Sequence, residues 1–270
     1  MRALAAVAVL CFILLPGREA AAEGRVLDGR KAPDLVFSDG VGIAPGTALS
    51  SYRGRVVWIK FVLRDCARCR EEYPRVQDLH ERWGGMGLVV IVVMHEHPPA
   101  DFRPLLESHG YTFRVGCDPR GELARAYGVG RRPTDYVIGT DGRVRASNRA
   151  SDEVLRTELA RRRVERLGEV PETLAGVRDL VWAWNYGAAL RAAEPRAAAD
   201  DAPEGERRFV ERLREQAAEE LEARLEYAAV LAAREERATL DRFLDLLVAH
   251  FEGTSLEKRA RAERRRMTER

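Results

Sequence analysis

The stretch Arg55-Val56-Val57-Trp58-Ile59-Lys60-Phe61-Val62, followed three residues later by Cys66-Ala67-Arg68-Cys69-Arg70-Glu71-Glu72-Tyr73-Pro74, decides how this chain is read. Its first half is β-branched and apolar, the pattern of a strand buried on both faces. Its second half carries Tyr73, Val76, Leu79 and Trp83 at helical spacing, predicting a helix over residues 67–83. The two cysteines therefore stand where a buried strand gives way to a helix. Cysteines two residues apart can close a small disulfide ring. The unpaired N–H groups and dipole of a helix N-terminus also favour a thiolate at Cys66. Thiolate pKa values in such motifs fall to about 3.5–7.5, against about 8.5 for a free cysteine.

Outward from this junction the pattern alternates. Gly87 to Met94 reads as a second buried strand. Thr134 to Ile138 and Val144 to Ser147 read as two more, joined by a turn at Asp141-Gly142, a strong hairpin signal. Residues 101–109 and 122–127 read as short helices. Strand–helix alternation gives parallel strands joined by crossovers, and the terminal hairpin adds antiparallel ones. The expectation is an α/β fold, a mixed sheet with helices on both faces.

After Ser151 the strand signals stop and Ala, Arg, Glu and Leu dominate. Ser151 with Asp152 and Glu153 marks a helix start. Pro171 is placed to open another helix, with Leu174, Val177, Val181, Trp184 and Ala188 on its apolar face. Residues 194–205 hold two prolines and several acids and read as a linker. A long amphipathic helix follows, with Val210, Leu213, Ala217, Leu221, Leu225, Ala228 and Leu231 on one stripe. A last helix uses Leu240, Phe243, Leu244, Leu247 and Phe251, with Gly253 as its cap and a fraying basic tail beyond. The domain reading is a targeting segment over residues 1–22, an α/β domain over 23–150 and an all-α region over 151–270.

Composition narrows the function classes. The net charge of the 270 residues is +2, so nothing points to nucleic acid as a partner. Arg2, the apolar run from Ala3 to Leu15, the Pro16-Gly17 break and the small residues Ala20 to Ala22 read as a signal peptide, with an uncleaved membrane anchor over residues 3–15 as the rival. Cleavage removes Cys11 and leaves Cys66, Cys69 and Cys117. An odd count argues against a purely structural disulfide framework, in a compartment where disulfides persist. For Cys117 a buried thiol is the default reading.

Several ordered motifs resemble the thioredoxin-like proteins of the TlpA/ResA (redoxin) type over about residues 31–150. They are Ala32-Pro33-Asp34, Leu49 to Val57, the segment Cys66 to Pro74, Asp118-Pro119-Arg120-Gly121, Tyr127-Gly128-Val129, Pro133-Thr134 and Gly139 to Val144. The resemblance implies a thioredoxin-like fold and a thiol-disulfide oxidoreductase without a cofactor, acting on protein thiols and disulfides of the cell envelope and coupled to an upstream electron donor or acceptor protein. It implies that Cys66 attacks and Cys69 resolves. It also implies that Glu72, one turn on from Cys69, exchanges the Cys69 proton through water, and that Pro133 carries a cis peptide bond facing the cysteines. The chain departs from the pattern at Asp65, where Trp is usual, at Arg68, where Pro is usual, and at Arg132 before Pro133. The Asp65 carboxylate opposes a Cys66 thiolate and the Arg68 cation favours it. Together these three charges suit a polar or acidic partner segment. Two further readings stand beside this one. One is a copper- or zinc-binding module using Cys66, Cys69 and a histidine such as His95 or His97. The other is a redox-inactive adaptor whose helical region binds a partner.

Overall fold

A computed structural model describes residues 26–34, 36–62, 66–95, 102–129 and 134–269. The targeting segment, Asp65, His97, Arg132 and Pro133 lie outside the described residues. The first half is built on six strands: β1 (Gly40–Val41), β2 (Val56–Val62), β3 (Leu88–His95), β4 (Arg114–Asp118), β5 (Thr134–Ile138) and β6 (Val144–Ser147). They form one sheet in the order β1-β4-β3-β2-β5-β6. β2, β3 and β4 run parallel, while β1, β5 and β6 pair antiparallel at the two flanks. All seven residues of β2 are buried, as its apolar run predicts. β1 and the full extent of β4 escape the sequence pattern, because β1 is two residues long and β4 continues through Gly116, Cys117 and Asp118 rather than an apolar run.

Alternation along β2 sends its residues into two cores. Val56, Trp58 and Val62 join one core, and Val57, Ile59 and Phe61 join the other. The first core is covered by α1 (Ala67–Gly84), by α2 (Arg103–His109) and by Leu155 and Leu159 of the helix after Ser151. The second is covered by α3 (Glu122–Ala126) and by the segment before β2, through Phe37 and Leu49. The sheet is thioredoxin-like, with a helical region after it. Between β5 and β6 the turn forms where Asp141-Gly142 places it. Gly142 takes φ +71°, a conformation glycine tolerates best, and its N–H bonds the Gly139 carbonyl at 2.8 Å.

α4 (Asp152–Leu167) starts as the sequence predicts, with Ser151 Oγ accepting the Val154 N–H at 3.2 Å. Arg75 on α1 ties the two helices by an ion pair to Asp152 at 2.8 Å and a hydrogen bond to the Ala150 carbonyl. The core of the sheet-bearing half thus extends past residue 150 into α4.

Three helical expectations are corrected. The helix opened by Pro171 is instead a single 3-10 turn over Glu172–Leu174, then α5 (Val177–Trp182), then α6 (Tyr186–Ala197). The break comes at Trp184, whose φ is +65°, and at Asn185, whose side chain accepts the Ala188 N–H at 2.9 Å and restarts the helix. The linker shrinks to residues 198–203, because α6 runs to Ala197. Pro195 sits in its last turn, where a lost hydrogen bond disturbs little. α7 (Glu204–Ala233) and α8 (Arg237–His250) follow as expected. The basic tail does not fray: it forms α9 (Ser255–Thr268), with Ala260 fully buried. Its arginines find acids on neighbouring helices, Arg259 with Glu222 at 2.8 Å and Arg264 with Asp245 at 2.7 Å. A run of like charge read in isolation hides such partners.

The helices after α4 enclose their own core, which includes Leu190, Phe209, Leu213, Leu244 and Phe251. α7 also lies against the end of α1. A Cβ at Gly85 would stand 2.9 Å from the Cβ of Ala223, so this approach needs a glycine. Tyr227 on α7 donates its hydroxyl proton to Asp78 on α1 at 3.2 Å.

Two outcomes follow from this packing. Leu159→Ala should cost about 2–5 kcal/mol in urea denaturation, the range for a leucine truncated in a closed core; a cost under about 1 kcal/mol would place α4 outside it. His80 on α1 has its pKa lowered to about 4 by burial, helped by Arg114 and Arg55. The native state therefore holds a neutral imidazole. Its contribution is fully present above the ordinary value of 6.5 and is lost as pH falls toward 4. His80→Gln should flatten the stability–pH curve across that window, by up to about 1.4 kcal/mol per pH unit.

Candidate active site

α1 begins on the cysteine pair. Cys66 is its N-cap, and the Cys66 sulfur accepts the Cys69 N–H at 3.1 Å, satisfying one of the donors that every helix start leaves open. The two cysteines form a disulfide with Cα atoms 5.2 Å apart. Cys69 is fully buried and Cys66 half-buried, while Ala67 and Arg68 between them are exposed. An incoming thiolate therefore meets Cys66 first. On reduction, the same Cys69 N–H and the helix start face the Cys66 sulfur and favour its thiolate.

Glu72, one turn along α1 from Cys69, belongs to a charge cluster that the sequence reading missed. Lys60, in the middle of β2, is 3% exposed, and its ammonium reaches the Glu72 carboxylate at 2.5 Å. On the neighbouring strand Asp135 stands opposite Lys60 in register. Burial pushes the Asp135 carboxyl up, against the pull of the Lys60 cation. Glu72 is the half-exposed member of the three. It links the buried charges to solvent one turn along α1 from Cys69. The missed signal was a single lysine inside an otherwise apolar strand. A buried ammonium needs an acid, and two were within reach of the fold.

The structure thus brings together Cys66, Cys69 and Glu72. Pro133, Arg132 and Asp65 lie outside the described residues. Cys117 is buried on β4, away from the bridge, opposite Met94 in register. His95 ends β3. Among the described residues no group of three or more His, Cys, Asp or Glu is arranged to hold a metal ion, and no helix is long and apolar enough to cross a membrane.

The family model for the AhpC/TSA family matches residues 29–147, the span that holds the sheet and the cysteine pair. The match covers a little under half of the chain. The chain is 32% identical over 117 residues to the thiol-disulfide oxidoreductase ResA of Geobacillus thermodenitrificans (strain NG80-2), covering 43% of this chain and 66% of that protein. It is 25% identical over 119 residues to ResA of Bacillus subtilis (strain 168), covering 44% and 65%. The chain thus spans just under two thirds of the length of these curated relatives. The solved structure of a putative thiol:disulfide interchange protein DsbE from Chlorobium tepidum is 28% identical, with a TM-score of 0.43, and the match covers 50% of this chain and 96% of that one. The helices after α4 lie beyond the family match.

The buried cation should be structural as well as electrostatic. Lys60→Met leaves two acids facing an apolar strand. Removing one partner of a fully buried pair costs about 3–5 kcal/mol, and the exposure of Glu72 lowers the expectation to about 2–3 kcal/mol. Because loss of the cation raises the Asp135 pKa further, the deficit relative to wild type should shrink as pH falls. Denaturant titrations at neutral and acid pH check this; a deficit independent of pH would mean that packing, not charge, was lost.

Proposed function

We propose that the chain is an exported thiol-disulfide oxidoreductase that exchanges disulfides with protein substrates through Cys66 and Cys69. The observation that carries this reading is the Cys66–Cys69 disulfide at the start of α1, with Cys66 accessible and Cys69 buried behind it. The named activity of the ResA relatives and the family match over the same span support it.

In the reducing direction the Cys66 thiolate attacks one sulfur of a substrate disulfide. A Cys66–substrate mixed disulfide forms, and the other substrate sulfur leaves as a thiolate and takes a proton. Cys69 then loses its proton, and its thiolate attacks the Cys66 sulfur, releasing the second substrate thiol and closing the Cys66–Cys69 disulfide. Glu72 takes the Cys69 proton through water, and Lys60 holds the Glu72 carboxylate in place for it. An upstream dithiol protein returns two electrons by the same exchange in reverse; an oxidising protein partner runs the cycle the other way. The exposed Arg68 beside the pair suits an acidic or polar substrate segment. The signal-like segment from Arg2 to Ala22 is the ground for export to the periplasm or another extracytoplasmic space.

Equilibration of the full chain in glutathione buffers, followed by thiol trapping and mass measurement, tests this. A reversible two-electron couple is expected between roughly −120 and −300 mV. It should be lost in Cys66→Ser, and Cys69→Ser should accumulate the mixed disulfide. Glu72→Gln should slow resolution about 10²-fold, the lower end for one acid–base group, with the potential little changed. A pair that stays oxidised or stays reduced across the whole range would sink the proposal.

A further inference from the structure

A second concavity lies at the other end of α1. It has a volume of about 620 Å³ and opens between α1, α4, α7 and α8. Volumes of about 300–1,000 Å³ are typical of small-molecule sites. α1 spans 18 residues, so this cavity and the cysteine pair are separated by about 25 Å at 1.5 Å per residue. The two sites share a helix and no lining residue.

We propose that this cavity binds an amphipathic anion: a ring-bearing apolar body carrying one carboxylate or sulfonate. The walls supply both halves of that chemistry. Trp83, Trp184, Tyr227 and Phe243 line it with rings. Arg82, Arg156, Arg224 and Arg242 supply cations, and no acid is among the lining residues. Arg82 is already matched by Asp78 at 2.9 Å. Arg156 and Arg242, both exposed at the rim, make no ion pair among the described residues. Leu246, 59% exposed, completes an apolar lip.

The floor carries the stronger argument. The Trp184 ring has the guanidinium of Arg163 4.0 Å from its centroid and that of Arg224 at 4.4 Å. Both arginines are buried, at 1% and 4% exposure, and the acid paired within this cluster is Glu220, 3.3 Å from Arg224. Two buried cations against one buried anion leave one positive charge in excess. Arg163 Nη1 and Arg224 Nη2 are buried without a hydrogen-bond partner. A buried charged donor left without a partner carries an uncompensated desolvation cost. His250 does not help, because burial and Arg224 hold its pKa down and keep the ring uncharged. Trp184 is itself held at φ +65°, a conformation that disfavours a large side chain. An anion held between Arg224 and the rim pair Arg156 and Arg242 offsets the excess charge, and its rings lie along Trp83 and Phe243, because two guanidiniums already flank the Trp184 ring.

The test uses two probes with the same rings: 8-anilinonaphthalene-1-sulfonate and its uncharged counterpart N-phenyl-1-naphthylamine, titrated into the full oxidised chain. The sulfonate should bind one per chain and at least about tenfold more tightly than the neutral amine, the value of one hydrogen bond to a charged group. Arg156→Ala with Arg242→Ala, both at the exposed rim and so compatible with folding, should weaken the sulfonate about tenfold and leave the amine unchanged. Arg224→Met, with its fold checked by circular dichroism, should also weaken the sulfonate at least about tenfold and leave the amine unchanged, and a folded variant that binds the sulfonate like wild type would overturn the proposal. If Arg224→Met fails to fold, the rim pair still decides. Non-saturating sulfonate binding, equal affinity for both probes, or a rim variant that binds like wild type would each overturn the proposal. The Cys66–Cys69 potential should be the same with and without the probe, so the fate of this site is read independently of the redox reading.

Discussion

Water must be kept from both faces of β2 and β3, and most of the molecule is arranged by that requirement. Every β2 residue is buried, and alternate side chains enter two different cores. Burial of each large aliphatic or aromatic side chain stabilises by about 1.5–3 kcal/mol, which a sheet with one wet face would forfeit. Helices are therefore needed on both sides. On one side the cover is α1, and the strand delivers the chain to the start of α1 with the cysteine pair at the junction. The location of the disulfide is a consequence of covering the sheet.

α1 then serves two ends. Its first turn offers unpaired N–H groups to the Cys66 sulfur, and its body seals the core through Tyr73, Val76 and Leu79. Its last turns meet α7 through Asp78, Arg82 and the close approach at Gly85. A helix of 18 residues thus joins the cysteine pair to a cationic, ring-lined cavity. The two ends differ in how charge is handled. At the cysteine end, Lys60 lies between two acids, and Glu72 keeps contact with solvent. Under the cavity, the arginines outnumber the buried acid.

The domain with the sheet was legible because continuous apolar runs, the Asp141-Gly142 turn and the strand-to-helix cysteine pair are all local signals. Cys66 and Cys69 fall at the helix start where those signals place them, whereas Glu72 was singled out by the family resemblance. Lys60 and Asp135 were not legible as a pair, since they are 75 residues apart in sequence and meet only through the β2–β5 register. The helical region shows the same division. The apolar stripes of α7 and α8 could be read directly. The break at Trp184 and the order of α9 depended on neighbours: a cap from Asn185, and acids contributed by α7 and α8.

By itself, the sequence determined the alternation of elements, the position of the cysteine pair at a helix start and the amphipathic character of the C-terminal half, because each rests on spacing within one segment. The tertiary structure alone decided which charges are buried together, that the basic tail is helical and that a cavity forms where α1, α4, α7 and α8 meet. Those features arise from side chains far apart in the chain, and the energy of a buried charge depends on what the fold sets beside it.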